Sequence, residues 1–80
     1  MRNNRIIFYD SFSILVINPS GKIRQLYCPF LVKCIHPIDG IEENTCVYVE
    51  QVTRDLNEKL SYLIGGKLYI YSKFKININF

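Results

Sequence analysis

Eighty residues confine this chain to a single domain with one core, and 49% hydrophobic against 21% charged residues excludes a disordered tail. A formal net charge of +3 is too mild to name nucleic acid as the partner, because nucleic-acid modules often carry a stronger, clustered basic excess. No apolar run approaches the ~20 residues of a membrane-spanning helix, which argues for a soluble protein.

At the N-terminus, Arg2 and Arg5 precede Ile6-Ile7-Phe8-Tyr9, an outline shared with signal peptides. Asp10 interrupts the run and no small-residue cleavage site follows, so a cytoplasmic protein is expected. Cys28, Cys34 and Cys46 are an odd number without the dense pairing of secreted miniproteins, and they read as reduced core thiols.

Residues 5–17 read as one strand. Ser13-Ile14-Leu15-Val16-Ile17 carries apolar side chains on both faces, as in a strand covered on both sides, so something must pack over it, a second subunit being one candidate. Asn18-Pro19-Ser20-Gly21 then supplies Pro where its fixed φ fits a turn and Gly where a positive φ is needed. This turn folds residues 22–27 back and makes an N-terminal β-hairpin over residues 5–27, ending near Cys28-Pro29.

Residues 30–35 read as a strand with Phe30, Val32 and Cys34 inward and Lys33 outward. His36-Pro37-Ile38-Asp39-Gly40 through Asn44 is a loop, and residues 45–53 resume as a strand with Val47 and Val49 on one face. Residues 53–60 fit either a short helix capped by Thr53 or a loop. The loop is preferred, because Gly65-Gly66 makes a two-residue turn between residues 60–64 and 67–71 and that hairpin claims the residues a helix would need. A single 3₁₀ turn is expected at Ser72-Lys73-Phe74. Residues 75–80 alternate polar and apolar, a last strand with Ile76 and Ile78 inward.

Strand, long loop, strand, short loop, Gly-Gly hairpin, one-turn break and last strand is the order of an SH3-like five-stranded barrel over residues 30–80. Tyr62-Leu63-Ile64-Gly65-Gly66-Lys67-Leu68-Tyr69 followed by Phe74 also resembles small bacterial SH3-like proteins that end in a Tyr-x-Ile-x-Gly-Lys-x-Tyr-x-x-x-x-Phe pattern. The resemblance implies a fold and no activity. The expectation is therefore an all-β single domain over residues 1–80, an SH3-like barrel with an N-terminal β-hairpin extension.

Catalytic chemistry is not legible. Cys28, Cys34, His36 and Cys46 are ligand types that zinc favours, but Cys28 and Cys34 straddle Pro29 and lack the close C-x₂₋₄-C pair of structural zinc sites. The lone histidine, before Pro37 and near Asp39, is explained by a turn, and Gly65-Gly66 is not followed by the helix a phosphate loop needs. No catalytic, metal or cofactor residues and no small-molecule substrate are expected.

One surface feature stands out. Lys67, Tyr69, Tyr71, Lys73 and Lys75 share a phase opposite Leu68 and Ile70, and if the latter are core the stripe faces solvent. Lysines on phosphates and tyrosines on bases suit a single-stranded nucleic acid, and the same aromatics suit an extended peptide. In the plainer reading Tyr69 and Tyr71 pack beneath the N-terminal hairpin or a sister subunit, and the lysines keep an edge soluble. The first expectation for function is a non-enzymatic module for protein interaction or self-association. Nucleic-acid binding through the stripe is the alternative.

Overall fold

The computed structural model describes residues 4–80, so Arg2 lies outside the described residues. The protein is all-β. β1 (Arg5–Asp10), β2 (Ser13–Ile17) and β3 (Ile23–Tyr27) form one antiparallel sheet with β2 in the centre. β4 (Phe30–Cys34), β5 (Cys46–Val49) and β9 (Phe74–Lys75) form a second sheet in the order β5-β4-β9. β6 (Gln51–Arg54), β7 (Leu60–Ile64) and β8 (Lys67–Ile70) form a third in chain order, and a 3₁₀ turn over Tyr71–Lys73 leads into β9. Among the described residues no sheet closes on itself. Among the described residues no helix is long and apolar enough to cross a membrane.

Three boundaries differ from the sequence expectation. Residues 5–17 are two strands, because the Asp10 side chain accepts hydrogen bonds from the Phe12 N–H (2.8 Å) and the Ser13 hydroxyl (2.9 Å), closing a turn inside the apolar run. The N-terminal hairpin is therefore a three-stranded sheet. The strand expected over residues 45–53 breaks at Glu50, so β5 and β6 join different sheets through a single residue. The last strand stops at Lys75. Residues 76–80 run on unpaired, with Ile76 buried, Ile78 half-buried and the Arg24 guanidinium donating to the Asn79 carbonyl.

The core is one cluster drawn from all three sheets, including Ile14 and Val16 of β2, Phe30, Val32 and Cys34 of β4, Val52 of β6 and Leu60, Tyr62 and Ile64 of β7. Each such side chain contributes about 1.5–3 kcal/mol by leaving water. Tyr62 is fully buried among Phe30 and Phe74, whose ring centroids lie 5.7 and 6.1 Å away, and Tyr69 packs edge-on against Phe74 at 6.0 Å. The N-terminal sheet is fastened to the rest by polar contacts as well. The Val52 N–H donates to the Ser11 carbonyl at 2.8 Å, and the Arg54 guanidinium lies 4.7 Å from the centre of the Phe8 ring.

Two turns share one design. Asn18 and Asp55 each accept hydrogen bonds on the side-chain oxygen from backbone N–H groups two and four residues on. Each turn then closes with a residue at positive φ, Gly21 at 90° and Glu58 at 61°. Residues 55–59 are thus a tight turn between β6 and β7, in line with the loop preferred over the helix. Glycine adopts that backbone without penalty and glutamate does not. Glu58→Gly is expected to raise unfolding free energy by about 1 kcal/mol and Gly21→Ala to lower it by a similar amount, measured by urea denaturation.

Candidate interaction surface

The five residues of the expected stripe do not share a face. Lys67 is exposed beside the Gly65-Gly66 turn, Tyr69 is only 7% exposed in the core and Tyr71 is half-buried at the start of the 3₁₀ turn. Lys73 is half-buried, and its carbonyl accepts the Ile35 and His36 N–H groups. Lys75 is exposed opposite Lys33 of β4. Leu68 and Ile70, expected inside, are 58% and 37% exposed.

The reversal of phase has a definite cause. A two-residue turn pairs Ile64 with Lys67 and Tyr62 with Tyr69, so odd-numbered residues of β8 share a face with even-numbered residues of β7. In β7 the even face is Leu60, Tyr62 and Ile64, all buried, and the other face includes Ser61. Tyr69 is therefore carried inward. The polar Ser61 was the signal that decides the phase, and it is visible only when the two strands are read as one hairpin.

Tyr71 and Lys75 do meet at one place, a cleft of about 390 Å³ that Ile6, Val16 and Ile35 also line. The candidate metal ligands do not meet. Cys34 is buried with its thiol donating to the His36 carbonyl at 3.2 Å, His36 and Cys46 are exposed, and no group of three metal-ligating side chains converges among the described residues. Burial, with a smaller effect from Asp10, pushes the Cys28 thiol above its usual range and keeps it protonated.

The outer face of the N-terminal sheet carries a contiguous set of uncovered apolar side chains. The pairing Ile6–Val16–Arg24 and Phe8–Ile14–Leu26 faces the core, which places Ile7–Leu15–Gln25 and Arg5–Ile17–Ile23 on the opposite side with Ser13 and Tyr27. Leu15 and Ile17 on the central strand are only half-buried, and Ile23 and Tyr27 are 62% and 67% exposed. Among the described residues β1 and β3 pair only with β2, so both outer edges have free backbone groups. The outer face of the third sheet is more mixed, with Leu63, Leu68 and Ile70 interleaved with Gln51, Thr53 and Ser61. Sequence reasoning found the surplus of apolar residues in β2 and missed Ile23 and Tyr27, which complete the patch. No protein family, curated protein or solved structure matches this chain.

Two outcomes follow from Tyr69 and Tyr62. Tyr69→Ala is expected to lower stability by about 3–5 kcal/mol while Lys67→Ala stays within about 0.5 kcal/mol, measured by denaturant unfolding. Among the described residues the Tyr62 hydroxyl has no hydrogen-bond partner, and burial, then the nearby Tyr71 and Cys28, raises its pKa above the ordinary 10.0. A raised folded pKa gives stability that is complete below pH 10.0 and lost as pH climbs beyond it. Tyr62→Phe is expected to gain about 1 kcal/mol at neutral pH and to unfold less steeply in alkali than the wild type, measured by circular dichroism against pH.

Proposed function

We propose that this chain is a non-enzymatic protein-interaction or assembly module that works through the outer face of its N-terminal sheet. The observation that carries the reading is the patch of Ile7, Leu15, Ile17, Ile23 and Tyr27, side by side on neighbouring strands, with no other strand packed over it among the described residues. An apolar surface of that extent on so small a domain marks a contact for another macromolecule. Residues 30–80 are the scaffold, an SH3-like arrangement of five strands if β5 and β6 are taken as one strand bent at Glu50. Supporting it are the neighbour order β9-β4-β5 and β6-β7-β8 and the 3₁₀ turn before β9. The three free cysteines, with Cys34 sealed in the core, suit a reducing cytoplasm.

A second reading, nucleic-acid binding, keeps one specific support. Lys33 and Lys75 sit directly opposite each other, and Leu31 and the exposed Tyr48 pair two residues along the same face. Like charges in that position repel, and a phosphate would relieve them. This surface replaces the stripe, sharing only Lys75 with it.

A pull-down from native lysate separates the readings. Wild-type and Leu68→Lys baits are expected to retain the same protein, and Ile7→Lys and Ile23→Lys baits to lose at least about tenfold of it. Retention of nucleic acid that disappears with rising salt and with Lys33→Glu, and is indifferent to Ile23→Lys, would replace the protein reading.

A further inference from the structure

We infer that the occupant of this face is a second copy of the chain, packed across a two-fold axis with the outer faces of the two N-terminal sheets together. The inference rests on the interaction-module reading and names its partner. The first support is charge. Arg5 and Asp10 lie at opposite ends of β1, and both stand on the outer face, Arg5 beside Ile17 and Asp10 hydrogen-bonded to the Ser13 hydroxyl at 2.9 Å. Between them lies the apolar patch. Their β2 partners Ile17 and Ser13 are four residues apart, the bulge after Phe8 taking up the fifth, so at about 3.3 Å per residue the two charges are separated by roughly 13 Å, the length of the face itself.

Such a face is complementary to itself in one orientation. Two copies with β1 strands antiparallel set Arg5 of one over Asp10 of the other, and the two-fold axis repeats the pair at the far end. With the strands parallel, the two-fold sets β1 of one copy over β3 of the other, so Arg5 faces Ile23 and Asp10 faces Tyr27 and neither charge has a partner. The apolar centre is compatible with either orientation, so the two charges select the antiparallel one.

The second support is area. Ile7, Leu15, Ile17, Ile23 and Tyr27 together expose on the order of 400 Å² of apolar surface, and the surrounding Arg5, Asp10 and Gln25 bring the face to roughly 600 Å² per copy. Two faces then bury at most about 1,200 Å², the lower bound for a specific and stable interface. A dimer of that size is reversible, with a dissociation constant in the micromolar range rather than the nanomolar. Packing of the two faces also gives Leu15 and Ile17 the second cover that their place on a central strand calls for.

Sedimentation velocity of the full chain from roughly 1 to 500 µM tests this directly. The expected result is a shift with concentration from 9.4 kDa toward twice that mass. Ile23→Lys is expected to raise the dissociation constant at least about thirtyfold and Arg5→Glu about three- to tenfold, with the β circular dichroism signal unchanged. Tyr27→Lys serves as the apolar variant if Ile23→Lys does not fold. A wild type that stays at 9.4 kDa throughout overturns self-pairing and leaves the wider interaction reading to the bait comparison above. A dimer indifferent to both apolar variants overturns this face as the contact.

Discussion

A strand in the middle of a sheet has two faces, and β2 carries apolar side chains on both while the described residues pack a further sheet over only one. Ile14 and Val16 are fully buried against the main core, and Leu15 and Ile17 look the other way into a face that β1 and β3 extend with Ile7 and Ile23. The remaining architecture sets up this imbalance. The Ser11 carbonyl takes the Val52 N–H, and the tail places Ile76 in the same core, so the N-terminal sheet is held with its inner side on residues 30–80. Its outer side is left over.

The C-terminal half supplies most of the core against which that sheet packs. Phe30, Tyr62, Tyr69 and Phe74 form a connected aromatic group within the core, and Tyr62 gives up a hydrogen bond on its hydroxyl to occupy the centre. A buried hydroxyl without a partner is unfavourable by about 1–3 kcal/mol, so the packing of the ring outweighs it. With Tyr69 committed to this group, the last hairpin has no row of outward tyrosines to offer a ligand. The lysines around it are spread over different surfaces.

Much of the fold was legible from local chemistry. Asn18-Pro19-Ser20-Gly21 and Gly65-Gly66 turn the chain where their backbone preferences require, and Phe30, Val32 and Cys34 point inward as their alternation predicts. The failures were of two kinds. Asp10-Ser11-Phe12 was hidden inside an apolar run, and only the hydrogen bonds of the Asp10 carboxylate reveal a turn there. The phase of β8 was misread because Leu68 and Ile70 look like core residues when that strand is taken alone; pairing with Tyr62 overrides their hydrophobicity and exposes both. Of the candidate site, the apolar excess in β2 could be read directly. Ile23 and Tyr27 could be added only once β3 was known to lie beside β2 in register.

The proposed contact is an apolar patch with one basic and one acidic end, on a sheet whose outer edges are unpaired among the described residues. The most direct measurement is an isotope-filtered nuclear Overhauser experiment on a mixture of ¹³C-labelled and unlabelled chains. Cross-peaks between copies from the methyl groups of Leu15, Ile17 and Ile23 are the predicted result. Intermolecular cross-peaks confined to Leu68 and Ile70, or none at a concentration where every amide of β1 and β3 is resolved, would contradict it.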